Sequence, residues 1–377
     1  MRRDIELLVI GPSATTTTGS LLRPYNIWYT LKGLSTMNVR YLPITYPIEV
    51  LLNIRSIIRS NIIIISGVSP WISAMILIVS RLLGKCVILD VHGSPYYEHI
   101  MSGRVRIIRE LLLYVNEYIS YRLSTNIIVA SRGLIGILHK YFRVRLNKRL
   151  YVLPNSISYL FMKIIKPLMG IDRRLLWNVL LKPKLNVDID NNDTKIVISP
   201  LPDVFIGNLI AYDTLMNMIR ELRSNNIRII ITGIRKGLKR IDSFIINVGY
   251  LPYIDYITLL LNAQAILLPY PNNSVCGGVR NKVLEAGYCG VPLISTKNGV
   301  LHLDAKGWIH YIPLEEIQLG NLLINIDTDA IKSISENMRM LILEKYLPNY
   351  FSRNLLTILR EILRRRFRKL LYKLGNY

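Results

Sequence analysis

Within the run CGGVRNKVLEAGYC, residues 276–289, the chain sets two adjacent glycines, Gly277 and Gly278, ahead of Arg280, Lys282 and one carboxylate, Glu285. A glycine pair lets backbone approach a ligand closely, because no Cβ stands in the way. The apolar spacing that follows predicts a helix from about Val279 to Tyr288, then a Gly-Val-Pro stop and a strand at VPLIST, 291–296. The N-terminus of such a helix turns unpaired amides and the positive end of its dipole toward the glycine loop, an anion site suited to phosphate. Arg280 and Lys282 add formal charge beside it. Glu285 shares a helical face with Asn281 and can accept hydrogen bonds from neighbouring hydroxyls, as on a ribose. Amides and cations for phosphate, with a carboxylate for sugar, describe a nucleoside-diphosphate site. Taken alone, the run reads better as an ordinary buried helix with solvated Arg and Lys. The surrounding elements decide between the two.

Those elements alternate. Buried-strand runs at IELLVIG (5–11), IIIIS (62–66), VILDV (87–91), NIIVAS (126–131) and LYVLPN (150–155) are separated by helix-length segments. Residues 157–185 look helical and contain no strand, and the polar NVDIDNNDT (186–194) is a linker. The rhythm restarts at KIVISP (195–200) and continues through IRIIITG, IINVGYL, AILLPY, VPLIST and WIHYIP, the last at 308–313. Such alternation means parallel sheets covered by helices. The expected architecture is α/β with two Rossmann-like domains, 1–185 and 195–350, followed by a helix and basic amphipathic tail over 351–377. Ligands of such a pair bind in the cleft at the carboxyl ends of the strands.

With that layout in place, the chain resembles the retaining GT-B glycosyltransferases of the family 4 type (glycosyl transferases group 1). The resemblance rests on Gly249, Leu259-Leu260, Ala265 to Pro269 and the run Gly277 to Ile294, with further matches at IIVASRGL (127–134), VLPNSIS (152–158) and DVHGSPYYE (90–98). It implies transfer of a sugar from a nucleoside-diphosphate sugar to an acceptor hydroxyl, a hexosyltransferase working with retention and without a metal or other cofactor. It also implies a last helix that crosses back from the second domain onto the first. Glu285 maps to the ribose-binding glutamate. The amides near Gly278 and Val279, with Arg280 and Lys282, hold the diphosphate, and Gly277, Val283 and Leu284 complete the donor-binding run. Donors preorganised on the leaving diphosphate stabilise the charge it develops. His92, just beyond the strand VILDV, is the catalytic candidate, facing the transferred sugar in the family; Asp90 orients its loop. Gly19 and Ser20 follow the first strand near the diphosphate and acceptor. Base and sugar selectivity fall to the loop containing Tyr250 and Leu251.

Two departures stand out. The family's Glu-x7-Glu pattern has Gly277 in its first position, and SPLPDVFIGNLIAYDTL (199–215) lacks the Arg and Lys that usually grip the phosphates. Neutralisation falls on Arg280 and Lys282, with Arg132 and Lys297 as further candidates. A donor-binding protein without turnover is therefore an alternative, as is a nucleotide-sugar 2-epimerase of the same fold. The Asp188 and Asp190 pair of VDID resembles a metal-binding DxD, but it sits in the linker rather than at a buried strand end.

The formal net charge is +23. It directs the protein to phosphorylated substrates, an anionic membrane or nucleic acid, and its spread along the whole chain disfavours the last. The densest basic block, Arg364 to Lys369, lies on the apolar-striped tail and suits an anionic membrane interface near lipid-linked acceptors. Three scattered cysteines exclude a disulfide framework and a Cys-x2-Cys zinc site. A cytoplasmic protein, peripheral on the cytoplasmic face of the membrane, is the expectation. The uncharged stretch 62–80 approaches the length of a membrane span. Gly67, Ser69 and Pro70 divide it instead into a strand and a helix with serine capping and proline at its first position.

Overall fold

In the computed structural model, which describes residues 5–12, 19–34, 37–103, 106–144, 150–185, 195–219, 227–235, 239–242, 244–319, 322 and 328–374, the backbone alternates strand and helix throughout. It divides into two compact units. One comprises Met1–Tyr96, Arg106–Ser158 and Leu347–Tyr377; the other comprises Tyr97–Val105 and Tyr159–Tyr346.

The first unit runs β1 (Ile5–Gly11), α1 (Gly19–Lys32), β2 (Met37–Pro43), α2 (Pro47–Leu52), α3 (Ile54–Arg59), β3 (Ile62–Ser66), α4 (Pro70–Leu82), β4 (Cys86–Val91), α5 (Pro95–Met101), α6 (Ile107–Leu123), β5 (Asn126–Val129), α7 (Arg132–Phe142) and β6 (Leu150–Val152). Its six strands are parallel, in the order β2-β1-β3-β4-β5-β6. Every residue of β3 and β4 is buried, because helices cover both faces of the sheet. The faces alternate along each strand. Leu8, Ile10, Ile63 and Ile65 pack against Ile72, Ile76 and Leu77 of α4, Tyr121 of α6 and Leu134, Leu138 and Phe142 of α7. Leu7, Val9, Ile62 and Ile64 face Ile27 and Leu31 of α1 and, from the far end of the sequence, Phe351, Leu355, Leu359 and Ile362. The last four lie on the C-terminal helix Pro348–Leu374, which thus returns to the first unit.

The second unit opens with α8 (Tyr159–Leu168), α9 (Arg173–Leu176), a π-helical turn at Trp177–Leu181 and α10 (Lys182–Leu185). It continues through β7 (Lys195–Pro200), α11 (Ile206–Ile219), β8 (Ile227–Thr232), β9 (Lys239–Asp242), β10 (Ile245–Asn247), α12 (Tyr253–Asn262), β11 (Ala265–Leu268), α13 (Asn281–Cys289), β12 (Leu293–Ser295), β13 (Ile312–Pro313) and a helix at Asp329–Lys345. The sheet order is β13-β12-β11-β7-β8-β10-β9, parallel except for β9 against β10.

The boundaries differ from those expected by chain order. Residues 159–185 group with the second unit: Phe161 packs against the rings of Tyr253 and Tyr288, and Lys184 pairs with the buried Asp255 at 2.6 Å. The stretch 62–80 forms β3 and α4 with Pro70 at the first helical position, although the Ser69 hydroxyl makes no capping bond. Among the described residues no helix is long and apolar enough to cross a membrane. The linker pair Asp188 and Asp190 lies outside the described residues.

Candidate functional site

In the second sheet, β7 sits between β11 and β8, so chain order reverses beside it. The crevice at the carboxyl ends of such strands is the general ligand position of open α/β sheets. Here β7 ends in Pro200 and β11 leads into Tyr270, and α13 brings Lys282 to both. The Lys282 ammonium donates to the Pro200 carbonyl, to the Tyr270 hydroxyl at 2.7 Å and to Asn208 Oδ1 at 3.3 Å. The Tyr270 hydroxyl in turn donates to Asn208 Oδ1 at 2.6 Å. Burial, together with the neighbouring Arg280 charge, pushes the Lys282 ammonium well below its ordinary range. Burial likewise pushes the Tyr270 phenol up, only partly offset by Arg280. The cation that is missing from the segment after β7 therefore arrives at the end of that strand from α13.

Arg280 stands at the N-cap of α13, in extended backbone, so the helix begins at Asn281 rather than Val279, and no side chain caps it. Its guanidinium lies 3.8 Å over the Tyr270 ring and donates to the carbonyls of Asn298 (2.5 Å), Gly299 (3.3 Å) and Ser274 (2.9 Å). A planar donor fork on a ring fixes the loops around the helix start more rigidly than a lysine could. Gly277 and Gly278 are buried in the bend just before it, while Val279, Val283 and Leu284 are core residues.

Glu285, one turn further on, is buried and accepts a 2.5 Å bond from the Tyr253 hydroxyl. Burial pushes its carboxyl up, against the opposing pull of its tyrosine bonds and Lys282. A carboxylate offers about four acceptor directions, so its tyrosine bonds do not exhaust it.

Asp203 was not singled out from sequence. It accepts from Tyr250 Oη at 2.9 Å and from the Arg235 amide at 2.9 Å, tying together the loops that follow β7, β8 and β10. Tyr250 is exposed and Leu251 partly so; Lys297 is exposed, with its amide on Glu315 Oε1 at 3.0 Å.

In the first unit, His92 follows β4 and directs Nε2 inward, 2.7 Å from Asp90 Oδ2 and 3.0 Å from the hydroxyl of Ser66, the last residue of β3. Ser66 also donates to Asp90, at 2.7 Å. Arg23, buried on α1, completes the cluster with Nε and Nη2 on Asp90 and Nη1 on Asn155. Burial raises the Asp90 carboxyl, and Arg23 and His92 more than reverse this, holding it well below the usual carboxylate range. Nε2 is thus committed to a carboxylate, which leaves Nδ1 as the ring atom for other chemistry. Arg132 opens α7 with an exposed side chain. Gly19 and Ser20 begin α1; the loop at 13–18 and the Ser20 side chain lie outside the described part.

Residues 204–324 match the family model described as glycosyl transferases group 1. No curated protein matches the sequence significantly. Among solved structures, HepE of Anabaena, in complex with UDP and glucose, is 12% identical; the match covers 95% of this chain and 100% of that one, with a TM-score of 0.67. A glycosyltransferase of Rickettsia africae is 14% identical, over 96% and 99% of the two chains, at 0.60. WaaG, a glycosyltransferase involved in lipopolysaccharide biosynthesis, is 12% identical, over 94% and 99%, at 0.61. At these identities the likeness is one of fold, and the fold is GT-B. The chain thus shares the GT-B fold of these glycosyltransferases, and part of it matches the group 1 model. The segment that matches the group 1 model lies within the second unit.

Proposed function

We propose that the protein is a hexosyltransferase that moves a sugar from a nucleoside-diphosphate sugar to an acceptor hydroxyl, with retention and without a metal. The observation that carries this reading is the start of α13: an uncapped helix N-terminus preceded by two buried glycines, with Arg280 and Lys282 around Tyr270, inside the segment that matches the family. Amides and fixed cations there offset the charge of a departing diphosphate, the work a metal does elsewhere. Glu285 would take the ribose hydroxyls with its remaining acceptor capacity. His92, its Nε2 held by Asp90, would serve the reacting sugar through Nδ1. The complexes of HepE with UDP and with UDP-glucose make UDP the first nucleotide to test. A lipid-linked or polysaccharide acceptor, and a peripheral place at a cytoplasmic membrane face, complete the reading. The C-terminal helix supports the last point with Arg364 and Arg365, both exposed, while side chains beyond Arg366 lie outside the described part.

The test is calorimetric titration of the protein with UDP, GDP and ADP in parallel, against Glu285→Gln. Binding of one diphosphate, weakened at least tenfold by the substitution, supports the reading. A folded protein that binds none of the three overturns it. Gly277, in the place of the pattern's first glutamate, specifically favours a second reading of donor binding without transfer. Binding without turnover over a panel of nucleotide sugars and acceptors would establish that reading.

A further inference from the structure

Three neighbouring helices of the first unit present hydrophobic side chains to solvent in a regular pattern. On α6 the buried positions are Glu110, Leu113, Glu117, Ser120 and Tyr121. The opposite face reads Ile108, Leu111, Leu112 and Val115, all exposed, with Ile107 and Ile108 at 80% and 77%. An amphipathic surface helix ordinarily turns its polar face outward. Here the outward face is the apolar one and two glutamates point in.

The adjoining α4 repeats the pattern. Ile72, Ala74, Ile76 and Leu77 are buried on the sheet, while Trp71, Ile78 and Leu82 are exposed at helical spacing on the other side, Leu82 at 83%. On α2, Ile48, Leu51 and Leu52 are exposed as well, Leu52 at 75%. All three helices contribute buried residues to the same core cluster, so they lie on one side of the sheet and their outer faces share one surface. α4 packs against both α6 and α2, which joins the three stripes into one area. A contiguous apolar area of this kind on a soluble unit marks an interaction site, whereas single exposed leucines do not.

Charge identifies the occupant. Arg55, Arg59, Arg81, Lys85, Arg106, Arg109 and Arg122 lie on these helices or immediately beside them. The acidic residues of the same helices are turned inward or tied to backbone. Glu110 accepts from the Arg106 amide, Glu117 from Ser94, Tyr96 and Tyr121, and Glu49 from the amides of Thr45 and Tyr46. Exposed aliphatic side chains with a tryptophan, with cations beside them, the two α6 glutamates turned inward and the partly exposed Glu49 held by backbone amides, match the headgroup and acyl boundary of an anionic bilayer.

We propose that the outer face of α2, α4 and α6 is a docking surface for an anionic lipid membrane, seated through Trp71, Ile78, Leu82, Ile108, Leu111 and Leu112. It is separate from the C-terminal helix and does not depend on the donor-site reading.

The test uses the full chain and sedimentation with vesicles of phosphatidylcholine alone or mixed equally with phosphatidylglycerol. Wild-type protein is expected to pellet with the anionic vesicles and far less with the neutral ones. Ile108→Ser with Leu112→Ser, and separately Leu82→Ser, should each lower the partition about tenfold or more, the scale set by losing a buried aliphatic side chain. Because these side chains are exposed in the folded protein, the melting temperature should hold. The pair Arg106→Gln and Arg109→Gln should weaken binding to anionic vesicles alone. Three results would each overturn the proposal. One is no binding of wild type to anionic vesicles; another is unchanged binding by the serine variants while Arg364→Gln with Arg365→Gln abolishes it. The third is a dimer in light scattering that Ile108→Ser dissolves without any vesicle binding, which would make this face a contact between two copies.

Discussion

Arg23 binds the Asp90 carboxylate with two atoms of its guanidinium, Nε at 2.9 Å and Nη2 at 2.7 Å, in a pair almost sealed from solvent. The same carboxylate holds His92 and Ser66. One buried anion therefore fixes the arginine of α1, the end of β3 and the histidine after β4 in a single arrangement.

Removing one partner of that pair strands the other. Arg23→Met should destabilise the first unit by roughly 3–5 kcal/mol, since breaking a buried ion pair leaves an uncompensated charge. Thermal or urea unfolding measures this, and a loss below about 1 kcal/mol would show that the pair carries no such role.

His92 itself is only partly buried, and its ring packs at the edge of the cluster. His92→Ala should lower transfer about 100-fold or more at nearly unchanged melting temperature and nucleotide affinity. Steady-state kinetics beside calorimetry separates this outcome from a merely structural role, which would move all three together.

Lys282 donates to three acceptors, so Lys282→Met removes a donor from the Pro200 carbonyl, Asn208 and Tyr270 at once. Each unsatisfied buried group costs on the order of 1–3 kcal/mol. The expected result is both a lower melting temperature and UDP affinity reduced at least tenfold. Unchanged UDP affinity in a folded variant would remove Lys282 from the donor site.

Glu117 gives a pH dependence. Burial lifts its carboxyl to about 7, against the lowering effect of its bonds from Ser94, Tyr96 and Tyr121. The folded protein therefore holds a proton that the unfolded chain releases near pH 4.5. This contribution to stability is fully present below that pH and is lost as pH rises through about 7. Glu117→Gln should remove that loss, which is on the order of 3 kcal/mol. Melting curves from pH 5 to 8 should fall more steeply for wild type than for the variant; parallel curves would rule this out.

Gly233, at the end of β8, has φ +90°, and a Cβ placed on it would come 2.5 Å from Pro202 Cα. Gly233→Ala should cost about 2 kcal/mol or more from backbone strain and overpacking together. Because its carbonyl also receives the Asp203 amide, nucleotide affinity should fall in the same variant.

The strands buried on both faces were plain in sequence because they read as unbroken runs: IIIIS and CVILDV need no context. The edge strand β2 was not, since its half-exposed residues show no clean period. Nor were the short helices α2 and α3. In the site, the glycines, Arg280, Lys282 and Glu285 announced themselves by spacing. Their partners did not. Asn208 and Pro200 lie far from Lys282 in sequence, as Arg23 does from Asp90. Nothing local in a single sequence signals such meetings. Arg280 shows the limit from the other side: its type suggested a phosphate ligand, while three carbonyls and a tyrosine ring already hold its guanidinium.

The first sheet buries one of its faces with Phe351, Leu355, Leu359 and Ile362, and this sets an order on the ribosome. Strands β1 and β3 emerge early, yet Leu7, Val9, Ile62 and Ile64 have only α1, through Ile27 and Leu31, on that face until the whole second unit has been synthesised. During translation the first unit is an unfinished core, and a nascent chain halted before residue 351 should offer that half-covered sheet face to chaperones and proteases.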